Sequence, residues 1–252
     1  MMPPDVGGEA EAVAAGGNGS LPWRLLRRVV DVQPREAPAM GLCWAYILAL
    51  LSAYYILRPI RDAAGIAGGV ENLPWLFTGT LVSMVVLNIP FAWLVRTLPR
   101  ARFIPITYRF FAVNILLFAA AMHWVDPAHS VWVGRVFFIW TSVFNLFVVS
   151  VFWAMIVDVF GSEQGKRLFG FIAAGATLGA ILGSAVTAGF ARTASPVMLL
   201  VAAAALLEIA VFCVKRLSRL SASLNERPEA VQGETPVGGG VLTGIRDALG
   251  SS

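Results

Sequence analysis

Charge is scarce in this sequence. Asp, Glu, Lys and Arg make up 13% of its 252 residues, against 58% hydrophobic residues. Soluble domains carry about 25% charged residues, so a globular domain of this composition has too little polar surface to wet. Lysine is nearly missing: only Lys166 and Lys215 stand beside seventeen arginines. The net charge of +4 gives a pI near 9.5. That balance usually points to nucleic acid, but here the arginines flank apolar runs and form no polar face. Cysteine is limited to Cys43 and Cys213, both inside apolar stretches. This excludes a disulfide framework and a cysteine metal site. His123 and His129 are the two histidines, near one span end, and read as interfacial. Neither HExxH nor a Walker loop after a strand is present, and no Ser–His–Asp set falls in a polar region. The sequence therefore reads as a non-enzyme that needs no cofactor and no metal.

What is abundant is long apolar runs. The mean hydropathy is +0.74. A membrane helix needs about 20 mostly apolar residues. Six runs qualify, roughly Ala39–Leu57, Leu73–Val95, Phe103–Val125, Val131–Phe160, Leu168–Phe190 and Val197–Val214. The backbone must satisfy its own hydrogen bonds in lipid, so all six are predicted helices. The fourth is long enough to tilt or to start and end in the interface. The expected fold is an all-α integral membrane protein with a six-helix bundle over 39–214. A cytoplasmic tail, 1–38, precedes it and a linker or tail, 215–252, follows. The first tail has no early apolar core, so no cleavable signal is expected. Its Gly, Ala, Pro and Glu content predicts disorder, with a basic amphipathic piece at 21–30 suited to an anionic membrane surface. A second short amphipathic segment is expected at Val241, Leu242, Ile245 and Leu249.

Basic residues in short loops set orientation. Thirteen lie on the side of both termini and three, Arg58, Arg61 and Arg192, on the other. Both termini are predicted cytoplasmic, in a bacterial inner membrane. Trp75, Trp124 and Trp132 fall at span ends, where interfacial aromatics belong.

Arg58 and Arg61 therefore oppose the insertion bias. On a helix Tyr54, Arg58, Arg61, Asp62 and Gly65 form one stripe, bordered by Tyr55. Arg58 and Asp62 are spaced i, i+4, which predicts that they pair and leave Arg61 the less neutralised. The fourth span runs back from the same side and puts Arg135, Phe138, Ser142, Asn145 and Val149 on one face. Three arginines on two helices are expected to converge on an anion, because the planar guanidinium donates two parallel hydrogen bonds to phosphate or carboxylate. The plainer role, snorkelling to headgroups, stays open. Arg109, Asp158 and Glu208 lie deeper, where charge is costly and normally finds a partner or a cavity. Arg109 and Glu208 are expected to pair as an inner gate lock, with a proton or substrate relay as the sharper reading. Gly175, Gly179 and Gly183, continued by Thr187, recur every four residues and predict close helix packing. That stripe is either static or a sliding seam.

Six spans with both ends inside make half of a twelve-span carrier, whose site lies near the midplane between repeats. Two stretches sharpen this. "YYILRPIRDAAG" (54–65) resembles the first-helix motif of the bacterial and plastid ATP:ADP antiporters, relatives of the major facilitator superfamily. There Ile, Leu and Arg, here Ile56, Leu57 and Arg58, are followed by a basic residue and Asp, here Arg61 and Asp62. "FWAMIVDVFGSEQGKRLFGFIAAGATLG" (152–179) resembles the same family's passage from the fourth span into the fifth, with Lys166 and Arg167 at its Lys-Arg position. The sequence departs from the family in three places. Arg61 stands where Lys is usual, Thr141, Ser142 and Asn145 stand around the usual glutamate, and "RTLPRAR" replaces the superfamily's acidic loop motif.

The resemblance implies a secondary-active antiporter working by alternating access. Arg61 would be the phosphate ligand, aided by Arg58, Arg135, Tyr54 and Asn145, and Lys166 and Arg167 would anchor the inner loop. Expected partners are the lipid bilayer, a small anionic solute such as ATP or ADP, and a second six-helix half, in the same longer chain or as a homodimer; nucleic acid is not expected. The rival class is a non-transporting scaffold or sensor that keeps the carrier fold.

Overall fold

The computed structural model of the chain describes residues 37–160 and 162–224, without the side chains of 100, 101, 127, 128, 162–167 and 221–224. The expected tail piece at 21–30, the segment after 241 and the anchoring role of the Lys166 and Arg167 side chains lie outside the described residues.

Six helices cover nearly all of the described chain: α1 (Ala37–Ala67), α2 (Leu73–Thr97), α3 (Arg100–Trp124), α4 (Pro127–Val159), α5 (Ser162–Phe190) and α6 (Pro196–Leu224). All six are long and apolar enough to cross a membrane, and no strand occurs among the described residues. Proline punctuates the starts. Pro74, Pro127 and Pro196 stand in the first turns of α2, α4 and α6, where the missing N–H would have had no helical partner anyway. The backbone N–H of Met198 bonds the Ser195 hydroxyl, 3.4 Å away, at the start of α6.

The α1–α2 connection turns at Gly69, whose φ of +94° is the one positive value among the described residues. A Cβ there would also crowd the Glu71 carboxylate. Gly69→Ala is expected to lower stability by about 1–2 kcal/mol, read as an earlier midpoint in a detergent unfolding titration; an unmoved midpoint refutes the strain.

Two helices outrun their apolar segments. α1 continues ten residues past Leu57, through Pro59 and the arginine stripe, and α6 continues ten past Val214. The first ten residues of the expected linker are therefore helix. Pro59 lacks the N–H that would bond the Tyr55 carbonyl, so α1 misses one backbone rung just before Arg61.

α1 is the hub. It packs against α5, α6 and α4, while α3 closes the bundle against α6 and α4, and α2 rests mainly on α4. Its buried residues Cys43, Tyr46, Ile47, Leu50, Ala53 and Leu57 run at helical spacing through the core. Tyr46 and Tyr108 meet hydroxyl to hydroxyl at the centre, and Tyr108 donates on to the Val148 carbonyl at 3.1 Å, tying α1, α3 and α4 together. Cys43 and Cys213 are both free and buried.

The outside of the bundle is as apolar as its core. Phe77, Leu81, Val85 and Ile89 on α2 and Leu178, Ile181 and Leu182 on α5 all face outward. Exposed apolar surface on this scale needs lipid or protein against it, which makes this a multi-pass membrane protein. Hydroxyls behave accordingly: Thr80, Thr141, Ser150 and Thr187 each donate to the carbonyl four residues back. Trp75, Trp124 and Trp132 are all exposed, at the end of the bundle where α1 and α3 finish and α2 and α4 begin.

Candidate functional site

The last turns of α1 carry Arg58, Arg61 and Asp62 against the first turns of α4. Gly65 makes the approach possible. A Cβ there would stand 2.8 Å from the Phe138 ring, so a bare backbone lets that ring lie against α1. Likewise a Cβ on Gly134 would come within 3.2 Å of Ala64. With Phe138 seated, its face takes the Arg61 guanidinium 5.0 Å from the ring centroid. Phe77 of α2 meets the Phe138 ring edge-on at 5.5 Å.

Arg61 is fixed in three directions. Its Nε and Nη2 both donate to Asp62 Oδ1, at 2.9 and 2.6 Å. Its Nη1 donates to Ser142 Oγ at 3.3 Å, and that hydroxyl in turn donates to the Phe138 carbonyl at 3.0 Å. The Arg61 side chain is 15% exposed, while Asp62 is 46% and Arg58 48% exposed. Arg58 Nε lies 4.0 Å from Asp62 Oδ2, and its guanidinium sits 5.6 Å from the Tyr55 ring centroid. The expected Arg58–Asp62 pair forms, but it does not leave Arg61 the less neutralised. Asp62 is Arg61's partner first, and Arg58 is the freer cation. The i, i+4 geometry favours Arg58 only while Arg61 is free to swing, and α4 holds Arg61 in place.

Arg135 departs further from expectation. Its Nη2 donates to the Gly68 carbonyl at 3.2 Å, just past the end of α1, and its guanidinium lies 4.7 Å from the Trp132 ring centroid. Its Nε is buried without a hydrogen-bond partner. A cation there meets the negative end of the α1 dipole. Among the described residues its hydrogen-bond partner is this carbonyl and not Asp62. Tyr54 is half-buried, edge-on to Tyr55 at 5.3 Å. Asn145 is half-buried one turn beyond Ser142, and among the described residues neither Tyr54 nor Asn145 hydrogen-bonds Arg61.

The glycine stripe of α5 faces α1, the helix that carries Arg61. A Cβ on Gly175 would meet Trp44 at 2.8 Å, one on Gly179 the Leu48 carbonyl oxygen at 2.6 Å, and one on Gly183 the Ser52 carbonyl oxygen at 2.5 Å. Ser52 Oγ donates across the seam to the Gly179 carbonyl at 3.0 Å.

Arg109 and Glu208 do pair, Nε to Oε1 at 3.3 Å, across α3 and α6. Their side chains are 54% and 50% exposed, so the pair lies on the outward face of the described helices. Asp158 is exposed one residue before the end of α4. No group of three His, Cys, Asp or Glu side chains lies together among the described residues.

Sequence reasoning missed two features. The Tyr46–Tyr108 contact had a faint signal, since both tyrosines lie well inside apolar runs, where a hydroxyl needs a partner. The role of Phe138 as a platform had none, since an aromatic in an apolar helix is ordinary. Set against family models, curated proteins and solved structures, the chain matches none of them.

Proposed function

We propose that the protein is a secondary-active carrier of the major-facilitator kind, moving an anionic solute by alternating access, with ATP and ADP as the first cargo to test. The observation that carries this reading is the environment of Arg61. Two guanidiniums and one carboxylate leave the α1 cluster with one net positive charge, at the end of apolar helices where nothing in the folding of a bundle demands it. Ser142 and the Phe138 face hold the Arg61 fork in a fixed plane, which is the preorganisation a phosphate or carboxylate ligand uses. Asp62 occupies the fork as an internal anion, and cargo would take its place, with Arg58 supplying the second positive charge. The resemblance of 54–65 and 152–179 to the ATP:ADP antiporters supports nucleotides as cargo. On this reading both termini are cytoplasmic in a bacterial inner membrane, and a second six-helix half completes the path.

The test is exchange in proteoliposomes made with the full-length gene product. Labelled ADP should enter vesicles loaded with ATP and not empty ones. No exchange with either nucleotide sinks the nucleotide reading, and no uptake of phosphate, carboxylate or sulfate solutes sinks the carrier.

If Asp62 competes with cargo, Asp62→Asn lowers the half-saturation concentration by about three- to tenfold, because a half-exposed ion pair is worth about 1 kcal/mol. The concentration dependence of exchange measures this, and a rise in half-saturation refutes the competing role.

A further inference from the structure

Arg109 and Glu208 occupy a place in which a lone ion pair is poorly served. Glu208 lies six residues inside the end of the apolar run at Val214, about 9 Å at helical rise. Arg109 lies seven residues inside the segment Arg102–Trp124, about 10 Å from its nearer end. Both positions fall within the hydrocarbon of a bilayer about 30 Å thick. Both side chains are half exposed on the outward face of α3 and α6, and the exposed residues within one turn of them, Ile106, Phe110, Val113, Ala205, Ile209 and Phe212, are all apolar. Lipid tails offer such a pair no hydrogen bond. Charges inside membranes face a bundle interior, a water-filled cavity or a partner, and this pair faces outward.

The pair is also incomplete. One contact, Nε to Oε1, joins the two side chains. Among the described residues the terminal nitrogens of Arg109 and the Oε2 of Glu208 have no partner. The open groups are therefore several donors and one acceptor, side by side at one depth. A two-fold axis along the membrane normal, beside α3 and α6, would bring a second copy's open acceptor to these donors and the reverse. A cation and an anion at one depth are complementary to their own two-fold image, and a C2 interface requires that kind of self-complementarity. Ala205, exposed one turn before Glu208, leaves room for the second copy's backbone to approach.

We infer that the α3/α6 face is a homodimer interface in the membrane, sealed by a four-membered ring of Arg109 and Glu208 from two copies. This face is not the one that carries Arg61. The inference rests on the helices spanning a bilayer and is independent of cargo.

Subunit counting of the labelled full-length chain in liposomes tests it. Wild type should count as dimers. Glu208→Arg alone places only positive charge on the face, Arg109→Glu alone only negative charge, and each should give roughly tenfold fewer dimers. Mixing these two variants should restore dimers that carry both labels. Wild type that counts as monomers overturns the inference, as do dimers that survive both single reversals. Should the single variants fail to fold, the double variant Arg109→Glu with Glu208→Arg keeps its pair within the chain. It should dimerise with itself and not with wild type; free mixing with wild type overturns the ring.

Discussion

Arg61→Gln is expected to reduce anion exchange about 100-fold or more while leaving the protein folded. Glutamine is nearly as long and its amide can still donate to Ser142, but it has no charge and no fork. Hydrogen bonds to charged groups are worth about 1.5–3 kcal/mol each, and a phosphate at this site would lose two. Folding should survive because Asp62, already 46% exposed, remains hydrated and retains Arg58 as a neighbour. Arg61→Lys should keep part of the activity, since a point charge survives and the bidentate geometry does not. Exchange in proteoliposomes, with monodispersity in detergent as the folding control, separates these variants. A Gln variant that exchanges at the wild-type rate would demote Arg61 to a headgroup contact.

The second large effect belongs to Gly179. Gly179→Val puts a Cβ 2.6 Å from the Leu48 carbonyl oxygen and 3.1 Å from the Leu48 Cα. Both are backbone atoms in the middle of a helix, so no side-chain rotation relieves the clash. The α1–α5 seam must open, which also breaks the Ser52 bond to the Gly179 carbonyl. Overpacking of this kind costs about 1–3 kcal/mol, and the lost buried hydrogen bond adds to it. The variant should express poorly and unfold about 3 kcal/mol or more below wild type. Gly189→Val is the control on the same helix, since a Cβ there meets nothing within 4 Å. Equal midpoints for the two variants in a detergent unfolding titration would refute the close seam.

The six helices were legible because lipid-length apolar runs are a strong signal, and their cores coincide with the observed elements. The ends of α1 and α6 were not legible. Apolar length marks where a helix meets hydrocarbon, and neither Arg58 nor Lys215 stops a helix from continuing into polar surroundings. The stripe on α1 was read on the correct face and its Arg58–Asp62 pair forms, yet Arg61 was wrongly read as the less neutralised cation. Spacing within one helix favoured Arg58 with Asp62, while the deciding contacts, Ser142 and Phe138, come from α4. Periodicity placed Arg135 on a face but carried no sign of the carbonyl at the end of α1. The Arg109–Glu208 pair followed from depth alone, whereas whether it pointed inward or outward depended on how α3 and α6 rotate against each other.

The missing rung at Pro59 has a mechanical meaning. Below it, α1 is clamped to α5 at Trp44, Leu48, Ser52 and Tyr55, with a Cβ on Gly183 standing 2.9 Å from the Tyr55 Cβ. Above it, α1 is clamped to α4 through Arg61, Ala64 and Gly65. The two grips belong to different neighbours, and the weakest backbone link of α1 lies between them. A load that moves α4 relative to α5 would fall on that one link, which makes it the place where α1 resists bending least.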